Sequence, residues 1–83
     1  MKNKILVELY IAQLGESFNV VIPTNEYVGK ILEMIEKSVF ELADINNMKE
    51  KYNLIDPDTG TVYKYTDIIR DTNIKNSKKI IMF

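Results

Sequence analysis

Ile5, Val7, Leu9 and Ile11 alternate along the chain with Leu6, Glu8 and Tyr10. That period of two sends successive side chains to opposite faces of a strand. The intervening positions are themselves largely apolar, as in strands that lie in the middle of a sheet. Ala12 to Glu16, with Gly15 inside it, makes a short loop. Phe18, Val20 and Ile22 then alternate with Ser17, Asn19 and Val21 before the run ends at Pro23. Two strands joined by so short a glycine-containing loop predict an antiparallel hairpin.

The period then changes. Val28, Ile31, Ile35, Val39 and Leu42 step by threes and fours with Leu32 beside them, which predicts one amphipathic helix from about Asn25 to Asp44. Thr24 or Asn25 is its expected N-cap, and Glu26 suits the positive end of the helix dipole. Glu26–Lys30 and Glu33–Lys37 are i,i+4 pairs in the favourable order. Tyr27, Met34 and Phe40 are expected to widen the apolar stripe that packs on the core. Gly29 costs a helix up to about 1 kcal/mol relative to alanine, and a close approach to the sheet would account for it.

Tyr52 to Ile55 reads as a third strand and Thr61 to Tyr65 as a fourth. Between them Asp56-Pro57-Asp58-Thr59-Gly60 is a dense turn signal, because proline presets φ and glycine accepts φ > 0. Thr66-Asp67 can cap a brief helical turn through Ile68 and Ile69. Lys78 to Phe83 closes the chain as a fifth strand, with Ile80 and Met82 on one face and Ile81 and Phe83 on the other. The order β-β-α-β-β-β, one helix covering one mixed sheet, is an α+β layout. No repeat or linker divides it, so residues 1–83 are expected to form a single domain.

Composition narrows the chemistry. Cysteine and histidine are both absent, which excludes disulfides, thiolate metal sites, cysteine nucleophiles and the usual general base near neutral pH. Eleven basic and twelve acidic residues give a net charge of −1, unlike a dedicated nucleic-acid domain. Acidic residues gather in 26–44, whereas Arg70, Lys75, Lys78 and Lys79 make the C-terminal end basic. Lys2 and Lys4 ahead of an apolar run imitate a signal peptide. Glu8 interrupts that run and no small-x-small cleavage site follows, so a strand and a cytoplasmic location are expected. No apolar stretch approaches the roughly 20 residues that span a bilayer.

The layout resembles the ubiquitin-like β-grasp fold over essentially the whole chain. Phe18-Asn19-Val20-Val21-Ile22-Pro23-Thr24 looks like that fold's second strand entering its helix. Ile69-Arg70-Asp71-Thr72-Asn73-Ile74, with Ile80 and Met82 beyond, resembles the Leu-Ser-Asp-Tyr-Asn-Ile segment of ubiquitin and its closing strand. Thr72 stands where ubiquitin has a tyrosine that ties down its loop. Conjugating modifiers and β-grasp sulfur carriers end in Gly-Gly; this chain ends at Phe83 with no glycine after Gly60, so conjugation is not expected. Cysteine-ligated β-grasp ferredoxins are excluded with the missing cysteine. In length, ending and strand pattern the chain is similar to the small ubiquitin-like proteins of Gram-positive type VII secretion systems, which accompany a membrane-embedded secretion ATPase.

Two motifs invite a chemical reading. Asn53-Leu54-Ile55-Asp56-Pro57-Asp58 resembles the Asp-x-Asp nucleophile loop of haloacid-dehalogenase-type phosphatases, yet that chemistry needs a larger scaffold and further carboxylates around Mg²⁺. A calcium loop is echoed only in part, so a plain turn is the expected role of Asp56 and Asp58. No catalytic, cofactor or metal site is expected. If Val7, Leu9, Ile80 and Met82 face the helix, then Leu6, Tyr10, Ile55, Ile81 and Phe83 face away, an apolar patch of the kind that marks protein-interaction sites. Ubiquitin-like proteins commonly bind through this face.

In this fold the first and last strands lie side by side, which would gather Lys2, Lys4, Lys75, Lys78 and Lys79. Such lysines ordinarily discourage edge-to-edge aggregation. The alternative is a basic patch for nucleic acid or an anionic membrane surface. The expected function is therefore a non-enzymatic protein–protein interaction module, an accessory or regulatory component of a type VII-like secretion system. Its expected partners are proteins, secretion-system membrane components among them, and not nucleic acid.

Overall fold

A computed structural model describes residues 3–40 and 51–83. Strand β1 (Lys4–Ile11) and strand β2 (Glu16–Pro23) form the expected antiparallel hairpin, in register from Lys4 opposite Pro23 to Ile11 opposite Glu16. Gly15, at φ +67°, takes the left-handed conformation that closes the loop between them. Helix α1 (Val28–Ile35) follows and runs into a π-helical turn over Glu36–Phe40. Strand β3 (Leu54–Ile55) and strand β4 (Lys79–Met82) complete the sheet, and a 3-10 turn at Ile69–Asp71 lies between them in sequence. The strand order is β2-β1-β4-β3, with β1 and β4 parallel and the other pairs antiparallel.

The helix lies on one face of this sheet. Val28, Ile31, Leu32 and Ile35 are buried against Val7, Leu9, Ile11, Ile22, Leu54, Ile80 and Met82. Tyr52, Tyr63, Ile69 and Ile74 close the ends of the core, while Ile5, Phe18, Val20 and Val39 pack against it partly buried. The three-and-four spacing of the helix and the alternation of the strands meet in this one layer of side chains. Burial of a Leu, Ile, Val or Met side chain contributes roughly 1.5–3 kcal/mol.

The start of the helix departs from expectation. Neither Thr24 nor Asn25 caps it: the N-cap is Tyr27, with no side-chain cap bond. The free N–H groups are met instead by carbonyls from far along the chain, Val28 N–H to Asp67 O at 2.8 Å and Gly29 N–H to Tyr65 O at 3.0 Å. This docking explains Gly29. A Cβ there would lie 3.3 Å from the Tyr65 Cβ and 3.4 Å from its carbonyl oxygen, so the close approach is to the 65–67 segment and not to the sheet. It also truncates the expected fourth strand. After Asp56 and Tyr63 make their hairpin bonds to Thr61 and Leu54, the backbone at Tyr65 turns to serve the helix. Val62 opposite Ile55 is then an isolated bridge.

Other helix expectations are corrected. Tyr27 and Met34 are exposed, since Tyr27 precedes the helix and Met34 lies at the margin of the buried stripe. Lys30 pairs with Glu33 at 3.7 Å, an i,i+3 contact. The expected continuation of the helix through Leu42 to Asp44, and its stop at Asn46-Asn47, lie outside the described residues. The expected third strand shortens to Leu54–Ile55, although Tyr52 is buried and Asn53 exchanges both backbone bonds with Phe83.

This arrangement ranks two apolar residues by position. Leu9→Ala, at a fully buried site, should lower the unfolding free energy by about 2–5 kcal/mol. Met34→Ala should cost less than about 1 kcal/mol, as exposed positions do; urea denaturation of the two variants checks the ranking.

Candidate functional site

The parity that buries Val7, Leu9 and Ile11 turns Leu6, Glu8 and Tyr10 to the other face of the sheet. The register fixes what lies beside them. Tyr10 has Ser17 on one side and Ile81 on the other; Ile81 neighbours Ile55, and Ile55 neighbours Val62. Tyr10, Ile81, Ile55 and Val62 therefore form one row across the outer face, perpendicular to the strands. Tyr10 and Val62 are 40% and 48% exposed, whereas Ile55 and Ile81 are half-buried. Phe83, two residues beyond Ile81, extends the patch and is 38% exposed.

Leu6 is also on the outer face but stands apart. Its neighbour is Val21, and the row Asn19–Glu8–Lys79 passes between Leu6 and Tyr10. Glu8 and Lys79 approach to 4.0 Å, so this dividing row is polar and close to charge-balanced. The five residues singled out from the sequence thus fall into a cluster of four with Leu6 across a polar strip. Val62 and Val21 complete the two apolar groups. Sequence reasoning overlooked both, because their neighbours are set by register and not by local pattern.

The basic residues do not form one free cluster among the described residues. Lys78 sits between two aspartates, its Nζ 2.9 Å from Asp56 Oδ1 and 2.9 Å from Asp58 Oδ2. Lys79 approaches Glu8, and Lys75 Nζ reaches the Arg70 carbonyl at 3.4 Å. Lys4 is exposed at the start of β1. Lys2 lies outside the described residues.

Among the described residues Asp56 is the buried charged side chain, 1% exposed. Its Oδ1 accepts the Asp58 N–H at 2.9 Å as well as the Lys78 ammonium, and its Oδ2 accepts Asn73 Nδ2–H at 2.7 Å. Asn73 in turn accepts the Tyr63 hydroxyl. The Lys78 ammonium, Asn73 and the Asp58 amide hold the Asp56 carboxyl far below the usual carboxylate range. Asp56 and then Asp58 hold Lys78 above its ordinary value. A carboxylate so occupied fastens the 56–60 turn to the segment that enters β4. Thr72 has a related local duty: its hydroxyl donates to the Ile69 carbonyl at 2.6 Å and accepts the Ile74 N–H at 3.1 Å. The loop is tied down where ubiquitin uses a tyrosine.

No family model matches the chain, and no curated protein matches it. Solved structures do match. A molecular mimic of SUMO that promotes DNA repair superposes with a TM-score of 0.78 at 16% identity, over 100% of this chain and 94% of the other. A chain of a toluene 4-monooxygenase complex with 4-bromobenzoate gives 0.80 at 9% identity, over 95% of each chain. An ESX-5 inner membrane complex gives 0.71 at 15% identity, over 98% of this chain but only 21% of the matched one. The chain has the ubiquitin-like β-grasp fold. Among the described residues no helix is long and apolar enough to cross a membrane.

The Asp56 network carries a pH signature. Its folded-state pKa is depressed, so its contribution is complete above the unfolded value near 4 and disappears as pH falls below it. Thermal denaturation from pH 7 to pH 2 should show a steep acid loss of stability that Asp56→Asn flattens. The same variant should lower Tm by several degrees at pH 7.

Proposed function

We propose that the chain is a non-enzymatic protein–protein interaction module that docks through the outer face of its sheet. The observation that carries this reading is the row Tyr10–Ile81–Ile55–Val62 with Phe83 beside it, apolar and aromatic on a face that α1 does not cover. A helix on one face leaves the other to be either polar or partnered. Here a polar row of Asn19, Glu8 and Lys79 crosses it, with Ser17 and Lys4 at its margins. Interface cores are rich in aromatic residues and poor in charge, with polar residues at the rim, and this face has that distribution. The one acidic pair with an enzymatic look, Asp56 and Asp58, is engaged with Lys78, which favours a binding role over catalysis.

The setting we infer is a type VII-like secretion apparatus, with the chain as an accessory or regulatory component on the cytoplasmic side. The structural likeness to part of an ESX-5 inner membrane complex supports this setting, as does the strand pattern. The partner in this reading is a protein of the membrane-embedded assembly that presents an apolar surface ringed by polar groups.

Affinity capture from native membranes, with identification of bound proteins, tests both parts. The wild-type chain should retain a secretion-system membrane component. Ile81→Glu should weaken that capture about tenfold or more, while the fold persists by circular dichroism. Retention should change little with salt, because the contact is apolar. Undiminished capture by both Ile81→Glu and Val62→Glu would rule out the outer face, and capture of unrelated proteins alone would rule out the secretion setting.

A further inference from the structure

The hairpin leaves one edge of β2 unpaired, and that edge is complementary to itself. Thr24 donates its N–H to the Asn3 carbonyl at 2.8 Å. In the antiparallel ladder β1 therefore takes the backbone groups of Ile22, Val20, Phe18 and Glu16. The bonds on the other side of β1 agree, since Glu8 N–H reaches Lys78 O and Ser77 N–H reaches Leu6 O. Ser17, Asn19 and Val21 then turn their N–H and C=O groups outward, and no strand of the described residues meets them. Edges are ordinarily blunted by lysine, proline or a bulge. Between Glu16 and Pro23 this one is uncharged and unbroken.

Symmetry selects a partner for it. Ser17 and Val21 are evenly spaced about Asn19, so a second, antiparallel β2 with Asn19 opposite Asn19 pairs all of them. Ser17 then meets Val21 of the second copy, and each pair exchanges both of its N–H···O bonds. Sliding the copy one way sets Pro23, which has no N–H, against Ser17. Sliding it the other way sets Gly15 against Val21, and the Gly15 N–H is already bonded to Ile11 O. On the helix side Phe18 falls beside Val20 of the copy, and both are only partly buried in one chain. The two Glu16 side chains lie at opposite ends of the seam, so no like charges face each other. Asn19 sits on the two-fold axis, where its amide, a donor and an acceptor at once, meets its own equivalent.

The outer face is extended by the same register. Within one chain Ser17 ends the row Val62–Ile55–Ile81–Tyr10, while exposed Leu6 and Val21 stand apart beyond the polar strip. Across the seam Ser17 lies beside Val21 of the second copy, and that Val21 lies beside its own Leu6. The isolated pair of one copy thus continues the apolar row of the other. We infer that the chain forms a two-fold symmetric dimer through β2, an isologous pairing that joins the two sheets into one. Two apolar rows then flank a shared polar row of Lys79, Glu8 and Asn19 from each copy. The pairing itself stands on the β2 backbone; its value for docking rests on the outer face being the docking surface.

Sedimentation velocity and cysteine cross-linking test the dimer. The weight-average mass should rise with concentration from that of one chain, 9.7 kDa, toward that of two. Asn19→Pro removes an N–H that β1 does not use, so the fold should persist by circular dichroism while the mass stays that of one chain. Ile81→Glu should leave the dimer unchanged, which separates this inference from the docking face. The chain has no cysteine of its own. Asn19→Cys should cross-link on mild oxidation, because a directly opposed pair has Cα atoms about 5.5 Å apart, within the roughly 4.4–6.8 Å span of disulfides. Ser17→Cys should not cross-link alone but should do so when mixed with Val21→Cys. A single-chain mass up to the limit of solubility would overturn the inference. So would an undiminished dimer in Asn19→Pro, or cross-linking by Ser17→Cys alone equal to that by Asn19→Cys.

Discussion

The structure depends on the parallel pairing of β1 with β4. Leu9 beside Ile80 and Ile11 beside Met82 are four buried side chains, joined from opposite ends of the sequence. Closing so long a loop is entropically costly, though the cost grows only slowly with length. Burying these side chains under α1 offsets it. The pair also leaves a consequence on the other face. Once Leu9 lies against Ile80, Tyr10 must lie against Ile81, because parity and register admit no other neighbour. The proposed interaction face is the reverse side of the core.

Two polar devices hold the pairing at its ends. Asn76 Oδ1 accepts the Leu6 N–H at 2.9 Å and the Ser77 N–H reaches the Leu6 carbonyl at 2.7 Å, which extends the contact beyond the last strand pair. Asp56, Asn73 and Lys78 then bind the β3 turn to the entry of β4. A buried charge is tolerated only when its lone pairs are met, and no buried side-chain nitrogen or oxygen of the described residues lacks a partner. The network keeps Ile55 and Val62 in line with Ile81, so a polar cluster with no place on the outer face still shapes it.

Local periodicity made the hairpin, the helix stripe and the closing strand legible, because each is a repeat of two or of three and four within a few residues. Asp56 to Gly60 was legible as a turn for the same reason. The helix start was not. Thr24 and Asn25 have the chemistry of a cap, but carbonyls at Tyr65 and Asp67 supply the acceptors, and no local rule reports a partner about 40 residues away. Lys78 likewise read as one more lysine of a basic end, although Asp56 and Asp58 claim it across the fold. For the outer face, parity alone placed Leu6, Tyr10, Ile55, Ile81 and Phe83 on one side. The polar row that isolates Leu6, and the contribution of Val62, required the register.

A ubiquitin-like body can bind through any of several surfaces, and fold alone does not choose among them. Here the choice rests on which face combines apolar area with a polar boundary, and the outer sheet face does so through residues of β1, β3 and β4. Site-specific photo-cross-linking in the native cell tests that assignment most directly, with the reactive side chain placed in turn at Tyr10, at Val62 and at the exposed Asn25 and Thr66, outside the row. Tyr10 and Val62 are expected to yield the same protein adduct, and Asn25 and Thr66 none. Adducts from Asn25 or Thr66 with none from Tyr10 and Val62 would contradict the outer face as the docking surface.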